Sequence, residues 1–220
     1  MGVTPSIENA SQLEQALRRA GLTSERLIVE RQAVGEQFRF LLLDGEVLDV
    51  IRRDRPQVVG DGTSTIEELM FAEYDRRLGT DTREGVKPFP VDLDCLFTLQ
   101  RQGLRLSTRP AKGTVVVVKS ASNISGGLTC VTVREPVAPE VVHEARAAAA
   151  AVGVRLAGVD VLAPDVERPL ASSNGVVLEV NPIPGLGHHY TVAEPEAATR
   201  VAVLILEALF AERAAAAQQA

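Results

Sequence analysis

The sequence predicts an α+β fold. Its 220 residues are 45% hydrophobic, which is enough for a core in one domain or in two tightly packed subdomains. Runs with β-strand character are interspersed with helical segments, and no internal repeat or Pro- or Ser-rich linker divides the chain. Asp44-Gly45 lies between two hydrophobic runs and is a strong hairpin signal, which favours antiparallel strands.

Composition and charge exclude several classes of function. The net charge is −6 and the isoelectric point is near 5.2, which argues against a nucleic-acid-binding surface. No segment approaches the roughly 20 consecutive apolar residues that span a bilayer, and the N-terminus has no signal-peptide pattern. Cys95 and Cys130 lack the CxxC spacing of a zinc site or a disulfide framework. These features predict a cytoplasmic protein whose partners are small molecules or proteins.

Caps and turns predict the elements of the N-terminal half. Asn9 and Ser11 are candidate caps of a first helix, and the Asp44-Gly45 turn needs positive φ at both residues. Ser64 and Glu67 form a capping-box pattern that opens another helix. Residues 79–91 lose all periodicity and are predicted to be a loop or the edge of an insertion. The predicted elements are a first helix with Gly21 at the position after its end, strands over 26–31, 38–43 and 46–52, and helices over 64–77 and 94–102.

The C-terminal half alternates strands with helices. Four valines within Gly113 to Lys119 predict a strand that is buried on both faces. Pro139 suits the first turn of a helix, and Gly153 suits the position after its end. The predicted elements are strands over 113–119, 128–133, 155–162 and 176–181, a helix over 139–151, and a last helix that begins near Pro195 and ends in a fraying Ala-rich tail.

Two of these strands carry oxygen-donor side chains. Glu179 and Asn181 project to one face of a strand because side chains two apart point the same way. Asp160 lies between Val159 and Val161, where an unpaired carboxylate would be costly. If these strands pair, three oxygen donors converge in a set that suits Mg²⁺ with a nucleotide triphosphate.

The residues alone leave alternatives open. Asp160 could instead pair with an arginine such as Arg39 or Arg155, and the polar strand end could merely satisfy turn amides. The loop over 120–127 is rich in Ser, Asn and Gly, which suits an anion but equally a flexible hairpin loop. His188 and His189 could contact an acceptor substrate or only close their loop.

Four sequence blocks carry a resemblance to a known family. The blocks are VERQAVGEQFRFLLLDGEVLDVIRRDRPQVVGDGTSTIEEL (Val29 to Leu69), SASNISGG (Ser120 to Gly127), AGVDVLAPD (Ala157 to Asp165) and EVNPIPGL (Glu179 to Leu186). In order and spacing they resemble the ATP-grasp domain of the cyanophycin synthetase-like family over nearly the whole chain. One such block alone would be a weak signal, whereas four in register are specific.

This resemblance implies ATP and Mg²⁺, or Mn²⁺ in its place, bound between two α+β subdomains. The γ-phosphate would pass to a carboxylate, and an amine would attack the acyl phosphate to give an amide, with an amino acid or peptide as substrate. Carried over to this chain, the resemblance implies that Asp160, Glu179 and Asn181 are metal ligands, that Glu30, Gln37, Ser125, Gly126 and Gly127 contact the nucleotide, and that Arg39, Lys119 and Asn123 are catalytic.

Three departures from the family pattern limit this interpretation. Gln37 stands where relatives commonly have an acidic residue for the ribose, and Lys119 stands where an arginine is usual. The opening MGVT resembles the end of the glycine-rich loop of the lid, so the chain is expected to start inside that subdomain. Two upstream lysines that contact the nucleotide phosphates in the family would then be absent.

The expected organisation is an ATP-grasp fold with a partial lid subdomain and a C-terminal antiparallel-sheet subdomain flanked by helices. The lid remnant would comprise residues 1–34 and the core residues 35–213, with 60–112 as a helical insertion and 214–220 as the Ala-rich tail.

Two functional hypotheses follow. The first is a carboxylate–amine ligase domain that is weak or inactive alone. The second is a non-catalytic nucleotide-binding module, or one completed by a homodimer partner or by a partner chain that supplies the missing lid. The retained oxygen donors favour the first and the missing lysines favour the second. Under the first, Asp160→Asn or Glu179→Gln would abolish Mg²⁺-dependent nucleotide binding with little loss of folding.

Overall fold

The computed structural model describes residues 3–80, 90–121 and 129–218. Its helices are α1 (Ala10–Gly21), α2 (Ile66–Thr80), α3 (Leu93–Arg101), α4 (Pro139–Val152), α5 (Leu170–Ser173) and α6 (Val201–Gln218). Its strands are β1 (Glu36–Leu43), β2 (Glu46–Asp54), β3 (Gln57–Val59), β4 (Val115–Val117), β5 (Thr129–Thr132), β6 (Leu156–Ala163) and β7 (Val176–Asn181).

The chain divides into two compact units. The first comprises Met1–Gln32 and Arg55–Leu128, and the second comprises Ala33–Asp54 and Thr129–Ala220. Each unit has a hydrophobic core of its own. The functional division predicted above, with a lid remnant over 1–34, a core over 35–213 and an insertion over 60–112, stays a prediction.

The second unit is built on a five-stranded antiparallel sheet in the order β5-β2-β1-β6-β7. One face of this sheet packs against α4 and buries apolar side chains from both. Phe40 and Val159 from the sheet and Val141 and Ala145 from α4 are fully buried there. A fully buried side chain of this size stabilises the folded state by about 1.5–3 kcal/mol. The opposite face carries the polar side chains of β1, β2, β6 and β7.

The predicted hairpin is confirmed. Asp44 and Gly45 join β1 to β2 with φ angles of 50° and 83°, as the tight turn requires. The ladder then shifts by one residue, because Leu42 pairs with Val47 whereas Leu41 pairs with Asp49. Such a bulge moves every later residue of β2 to the other face of the sheet.

The first unit holds the small sheet of β3 and β4 beside α2 and α3. Its core includes Ile66 and Met70 from α2 and Cys95 and Leu99 from α3. β4 is shorter than predicted, and it is not buried on both faces, since Val116 is buried whereas Val115 is 54% exposed. The valine run alternates because the two-stranded sheet packs only one face on the helices.

The predicted strand over 26–31 is wrong. These residues form no strand, and Ile28 and Val29 are 88% and 68% exposed. Within the described ranges no other strand pairs with this segment. Local β propensity alone does not make a strand, because the backbone groups of a strand need a partner.

The last helix begins later than predicted. Pro195 lies in a short 3₁₀ turn, and α6 starts at Val201, whose side chain is buried. The Ala-rich segment from 214 continues this helix to Gln218, and the expected fraying of the tail stays a prediction. No helix in the described part of the chain is long and apolar enough to cross a membrane.

The capping box of α2 lies one residue later than predicted. Thr65 N–H donates to Glu68 Oε2 at 2.7 Å, and Glu68 N–H donates to Thr65 Oγ1 at 3.2 Å. Ser64 is not available, because its N–H and its hydroxyl both donate to Asp61 at 2.7 Å. Hydrogen bonds from Ser64 and Thr63 hold the pKa of Asp61 well below its usual range.

Alanine substitution distinguishes the two candidate boxes. Glu68→Ala is expected to lower the free energy of unfolding by about 1 kcal/mol, because Thr65 N–H loses its acceptor. Glu67→Ala removes the same charge from the first turn and serves as the matched control. Equal losses in urea denaturation for both variants would contradict the Thr65–Glu68 assignment.

Candidate functional site

Strand register places the polar candidate residues on the sheet face opposite α4. Asp160 of β6 lies directly between Arg39 of β1 and Glu179 of β7. Directly opposed residues on neighbouring strands project from the same face, so these three side chains form a row across the sheet. Asn181 lies two residues beyond Glu179, opposite Gly158.

Arg39 and Asp160 form a buried bidentate ion pair. Arg39 Nε donates to Asp160 Oδ1, and Arg39 Nη2 donates to Oδ2 at 2.6 Å. Arg53 of β2 adds a third contact, from Nη1 to Oδ2 at 3.2 Å. The side chains of Arg39, Arg53 and Asp160 are 7%, 5% and 1% exposed. Of the two interpretations of Asp160 that the sequence left open, arginine pairing is therefore observed, with Arg39 as a partner.

The arginines keep Asp160 ionised. Burial alone would raise its pKa, but the Arg39 hydrogen bond and the charges of Arg53 and Arg39 outweigh burial and lower it. Burial lowers the pKa of the Arg53 guanidinium, and the charge of Arg39 acts in the same direction, against the opposing charge of Asp160. Two guanidinium groups therefore share one carboxylate inside the protein.

Arg155 has a different role from the one considered for it. It lies on the surface, where Nη2 contacts Asp44 Oδ2 and Glu212 Oε2, both at 2.8 Å. Asp44 and Glu212 therefore neutralise the charge of Arg155, and Arg155 does not pair with Asp160. As an exposed network, it contributes little to stability compared with the buried pair.

Glu179 and Asn181 extend the row toward the edge of the sheet. Asn181 Nδ2 donates to Glu179 Oε1 at 3.1 Å, and Glu179 is exposed to solvent. A hydrogen bond between Glu179 and Asp160 is one of the influences that lower the pKa of Asp160. The structure thus brings Asp160, Glu179 and Asn181 together, as the predicted strand pairing required.

This donor set fits a hard divalent cation. Two neighbouring carboxyl groups repel when both are ionised, and a cation placed between them removes that cost. Asn181 uses its Nδ2 toward Glu179, which leaves its carboxamide oxygen for a metal. In the described ranges no group of three or more His, Cys, Asp or Glu side chains could hold an ion. Any metal here would need Asn181 together with water or phosphate oxygens.

The other predicted residues are spread over both units. Gln37 is on β1 of the second unit, where it pairs with Arg53 and Leu162. Glu30 is an exposed residue of the first unit. Asn123, Ser125, Gly126 and Gly127 lie outside the described residues.

Lys119 of the first unit is already neutralised. Its Nζ lies 2.6 Å from both carboxylate oxygens of Asp92 and 3.5 Å from Asp94. Asp94 in turn accepts the N–H groups of Ser120 and Ala121 at 3.0 Å and 3.2 Å. The predicted catalytic lysine is therefore a buried cation held by two carboxylates, and one of these, Asp94, also binds the first two residues of the serine- and glycine-rich loop.

Sequence reasoning missed two features of this face. Arg53 was not predicted, because the Arg52-Arg53 doublet does not show which of its two arginines lies on the polar face of the sheet. An uninterrupted hairpin would place Arg52, not Arg53, beside Gln37. The Asp49–His189 contact was not predicted, because the two residues are far apart in the sequence. Only knowledge of the bulge and of the long-range register could have found them.

Comparisons with known proteins identify similar chains. The chain is 33% identical to the cyanophycin synthetase of Trichormus variabilis over 211 residues, which is 95% of this chain and 23% of that protein. It is 32% identical to the glutathione biosynthesis bifunctional protein of Mannheimia succiniciproducens, over 80% of this chain and 23% of that protein. It spans about a quarter of the length of these curated relatives.

A solved structure shows the same fold. The bifunctional glutathione synthetase from Pasteurella multocida matches with a TM-score of 0.60 at 24% identity, over 94% of this chain and 28% of that one. No protein-family model matches the chain.

Proposed function

Because the chain is a relative of the cyanophycin synthetases and has the α+β ATP-grasp fold, we propose that it is the ATP- and Mg²⁺-dependent part of a carboxylate–amine ligase. The resemblance and the fold class predicted from the sequence are confirmed by these relatives. The substrate would be an amino acid or a peptide. The observation that carries this proposal is the row of Arg39, Asp160 and Glu179, with Arg53 on the same sheet face and bonded to Asp160.

The two arginines bonded to Asp160 suit phosphoryl transfer. In the proposed reaction a substrate carboxylate oxygen attacks the γ-phosphorus of ATP, ADP leaves, and an amine then displaces phosphate from the acyl phosphate. Negative charge spreads over the transferred phosphoryl oxygens, and fixed guanidinium groups stabilise it. Arg39 and Arg53 are held by Asp160 before any ligand arrives, so little reorganisation would be needed.

Asp160, Glu179 and Asn181 would hold Mg²⁺, or Mn²⁺ in its place. The ion would supply positive charge that neutralises the nucleotide phosphates. Of the three residues, Glu179 is the exposed carboxylate and is therefore the more accessible ligand. Asp160 would serve the ion and the arginines together, since a carboxylate has about four acceptor sites.

The remaining predicted residues take supporting roles in the proposal. Glu30 would face the adenine and Gln37 the ribose. Asn123, Ser125, Gly126 and Gly127 would contact phosphate or the acceptor carboxylate through short side chains and backbone N–H groups. Lys119 would support this loop through Asp94 rather than donate to phosphate directly.

One observation favours a second candidate, a non-catalytic nucleotide-binding module. Lys119, the predicted cation of the first unit, has its charge satisfied by Asp92 and Asp94. Removing one donor aimed at transition-state charge typically costs about 10²- to 10³-fold in rate. A second copy of the chain or a partner chain could supply further phosphate contacts.

Calorimetric titration with ATP tests the metal site. Glu179→Gln is expected to weaken Mg²⁺-dependent ATP binding by about 10- to 100-fold, because the ion loses a carboxylate ligand. The exposed Glu196→Gln removes the same charge elsewhere in the second unit and should bind like the unmutated protein. Absence of ATP binding by the folded, unmutated chain with Mg²⁺ present would refute the proposed function.

Hydroxylamine trapping then separates the two candidates. With ATP, Mg²⁺ and a mixture of amino acids and peptides, a ligase forms an acyl phosphate that hydroxylamine converts to a hydroxamate while ADP accumulates. A binding module would bind ATP and form neither product. Activity that rises with the second power of protein concentration would indicate completion by a second copy.

A further inference from the structure

Asp49 of β2 holds two donors from the C-terminal part of the second unit. Its Oδ2 accepts the Nδ1–H of His189 at 2.6 Å, and its Oδ1 accepts the hydroxyl of Thr199 at 2.8 Å. Asp49 is 8% exposed and His189 is fully buried. Neither residue belongs to the proposed ATP and Mg²⁺ set, so this buried pair needs its own explanation.

The hydrogen bond between Asp49 and His189 attaches residues 182–193 to β2. We name these residues the crossing segment. This segment leaves the end of β7, at one edge of the sheet. At its other end Val192 pairs with Cys130 of β5, and Ala193 N–H donates to Cys130 O at 2.8 Å. β5 is the opposite edge of the sheet, so the crossing segment spans the sheet from edge to edge.

The crossing segment passes over the polar face. A Cβ added to Gly158 would lie 2.8 Å from Pro184 Cβ and 3.1 Å from Arg39 Cδ, so Pro184 and the Arg39 side chain both lie over this glycine. Asp49 pairs with Leu41, which is on the same face as Arg39. The segment therefore passes, at Pro184, beside the part of the Arg39 side chain that lies over Gly158.

We infer that Asp49 and His189 are positioning residues that hold the crossing segment against Arg39 and so fix the guanidinium for its ligand. Pro184 limits where the Arg39 stem can lie, and the buried His189–Asp49 contact limits where Pro184 can lie. A short hydrogen bond between two side chains buried inside the protein is strong enough to set this arrangement. The inference rests on the proposed function for its consequence, since Arg39 belongs to the proposed phosphate site.

The geometry of the contact makes a sharp substitution test. His189 contacts Asp49 through Nδ1, and the amide nitrogen of an asparagine occupies nearly the same position on the side chain. The amide nitrogen of a glutamine instead matches Nε2, which points away from Asp49. His189→Asn should therefore preserve the contact, whereas His189→Gln should lose it.

Solvent exchange of the Arg39 Nε–H, followed by nitrogen-15 NMR, reports the positioning without any nucleotide. We expect about tenfold or faster exchange in His189→Gln than in the unmutated chain, and near-normal exchange in His189→Asn. The exchange rates of backbone amides at the centre of β6 report global opening of the protein. These rates should change much less than the Arg39 rate. Equal Arg39 exchange in His189→Gln and the unmutated chain, or equal damage from both substitutions, would overturn the inference.

Two further measurements keep the test decisive. If His189→Gln does not fold, Thr199→Val removes only the second donor to Asp49 and should still accelerate Arg39 exchange, and unchanged exchange would overturn the inference. ATP titration with Mg²⁺ then compares His189→Gln with His189→Asn, and only the former should bind about tenfold more weakly. Absence of binding by the unmutated chain would refute the proposed function, while the exchange data would still decide the positioning of Arg39.

Discussion

Asp160→Asn is expected to lower the free energy of unfolding by about 3–5 kcal/mol. The substitution keeps the shape of the side chain but leaves two buried guanidinium groups, Arg39 and Arg53, without their counter-charge. Urea denaturation at neutral pH measures the loss. This result differs from what the sequence alone suggested, because an Asp160 that served only a metal would have been replaced with little effect on folding.

Glu179→Gln is the matched control for this prediction. It removes a charge from the directly opposed position on β7, but Glu179 is exposed, so its effect should stay within about 0.5 kcal/mol. Equal losses from both substitutions would show that the arginines do not depend on Asp160.

The same ion pair predicts loss of stability in acid. The pKa of Asp160 is lowered in the folded protein. Its contribution to the free energy of unfolding is therefore fully present above its unfolded pKa of about 3.9, and it is lost as the pH falls through the folded pKa. The difference in stability between the unmutated chain and Asp160→Asn should therefore narrow below about pH 4. A constant difference down to strongly acidic pH would contradict this assignment.

Lys119→Met is expected to destabilise the first unit by about 3 kcal/mol or more. Methionine fills the space of the lysine stem but leaves Asp94 buried, with a charge that only hydrogen bonds then compensate. Hydrogen exchange of amides in α3 measures the change within this unit. A loss of this size would assign Lys119 mainly to the structure of the first unit.

Lys112→Met provides the comparison. It makes the same chemical change on an exposed residue of the same unit and should alter stability by no more than about 0.5 kcal/mol. The opposite outcome is that the α3 amides exchange hydrogen at the same rate in Lys119→Met and Lys112→Met while only Lys119→Met loses ATP binding. The direct phosphate role that the family resemblance implies for Lys119 would then be the better explanation.

Much of the fold could be predicted because its signals are local. Asp44-Gly45 defines a tight turn through two positive φ angles, and Pro139 with Gly153 bounds α4. The predictions that were wrong also have a physical cause. The segment over 26–31 has strand-like residues but no pairing partner in the described chain, and Ser64 is diverted from its predicted cap by Asp61.

The candidate site was predicted in part for the same reason. Glu179 and Asn181 share a strand, so their common face follows from a period of two. Their meeting with Asp160 followed from strand pairing and is observed. The arginine pair on Asp160 was one of two open alternatives, because composition does not reveal whether a buried carboxylate faces a metal or a guanidinium.

By itself, the sequence determined the α+β class, the hairpin and the two strands that carry the oxygen donors. Only the tertiary structure decided which arginine joins Arg39. The bulge between Leu41 and Leu42 shifts β2 by one residue, which moves Arg53 to the polar face and Val50 to the core. The contacts of Asp49 with His189 and Thr199 were likewise decided by tertiary structure, because they join residues that no local pattern relates. The physical reason is that register and long-range contacts depend on the packing of the whole sheet, whereas turns and caps depend on a few neighbouring residues.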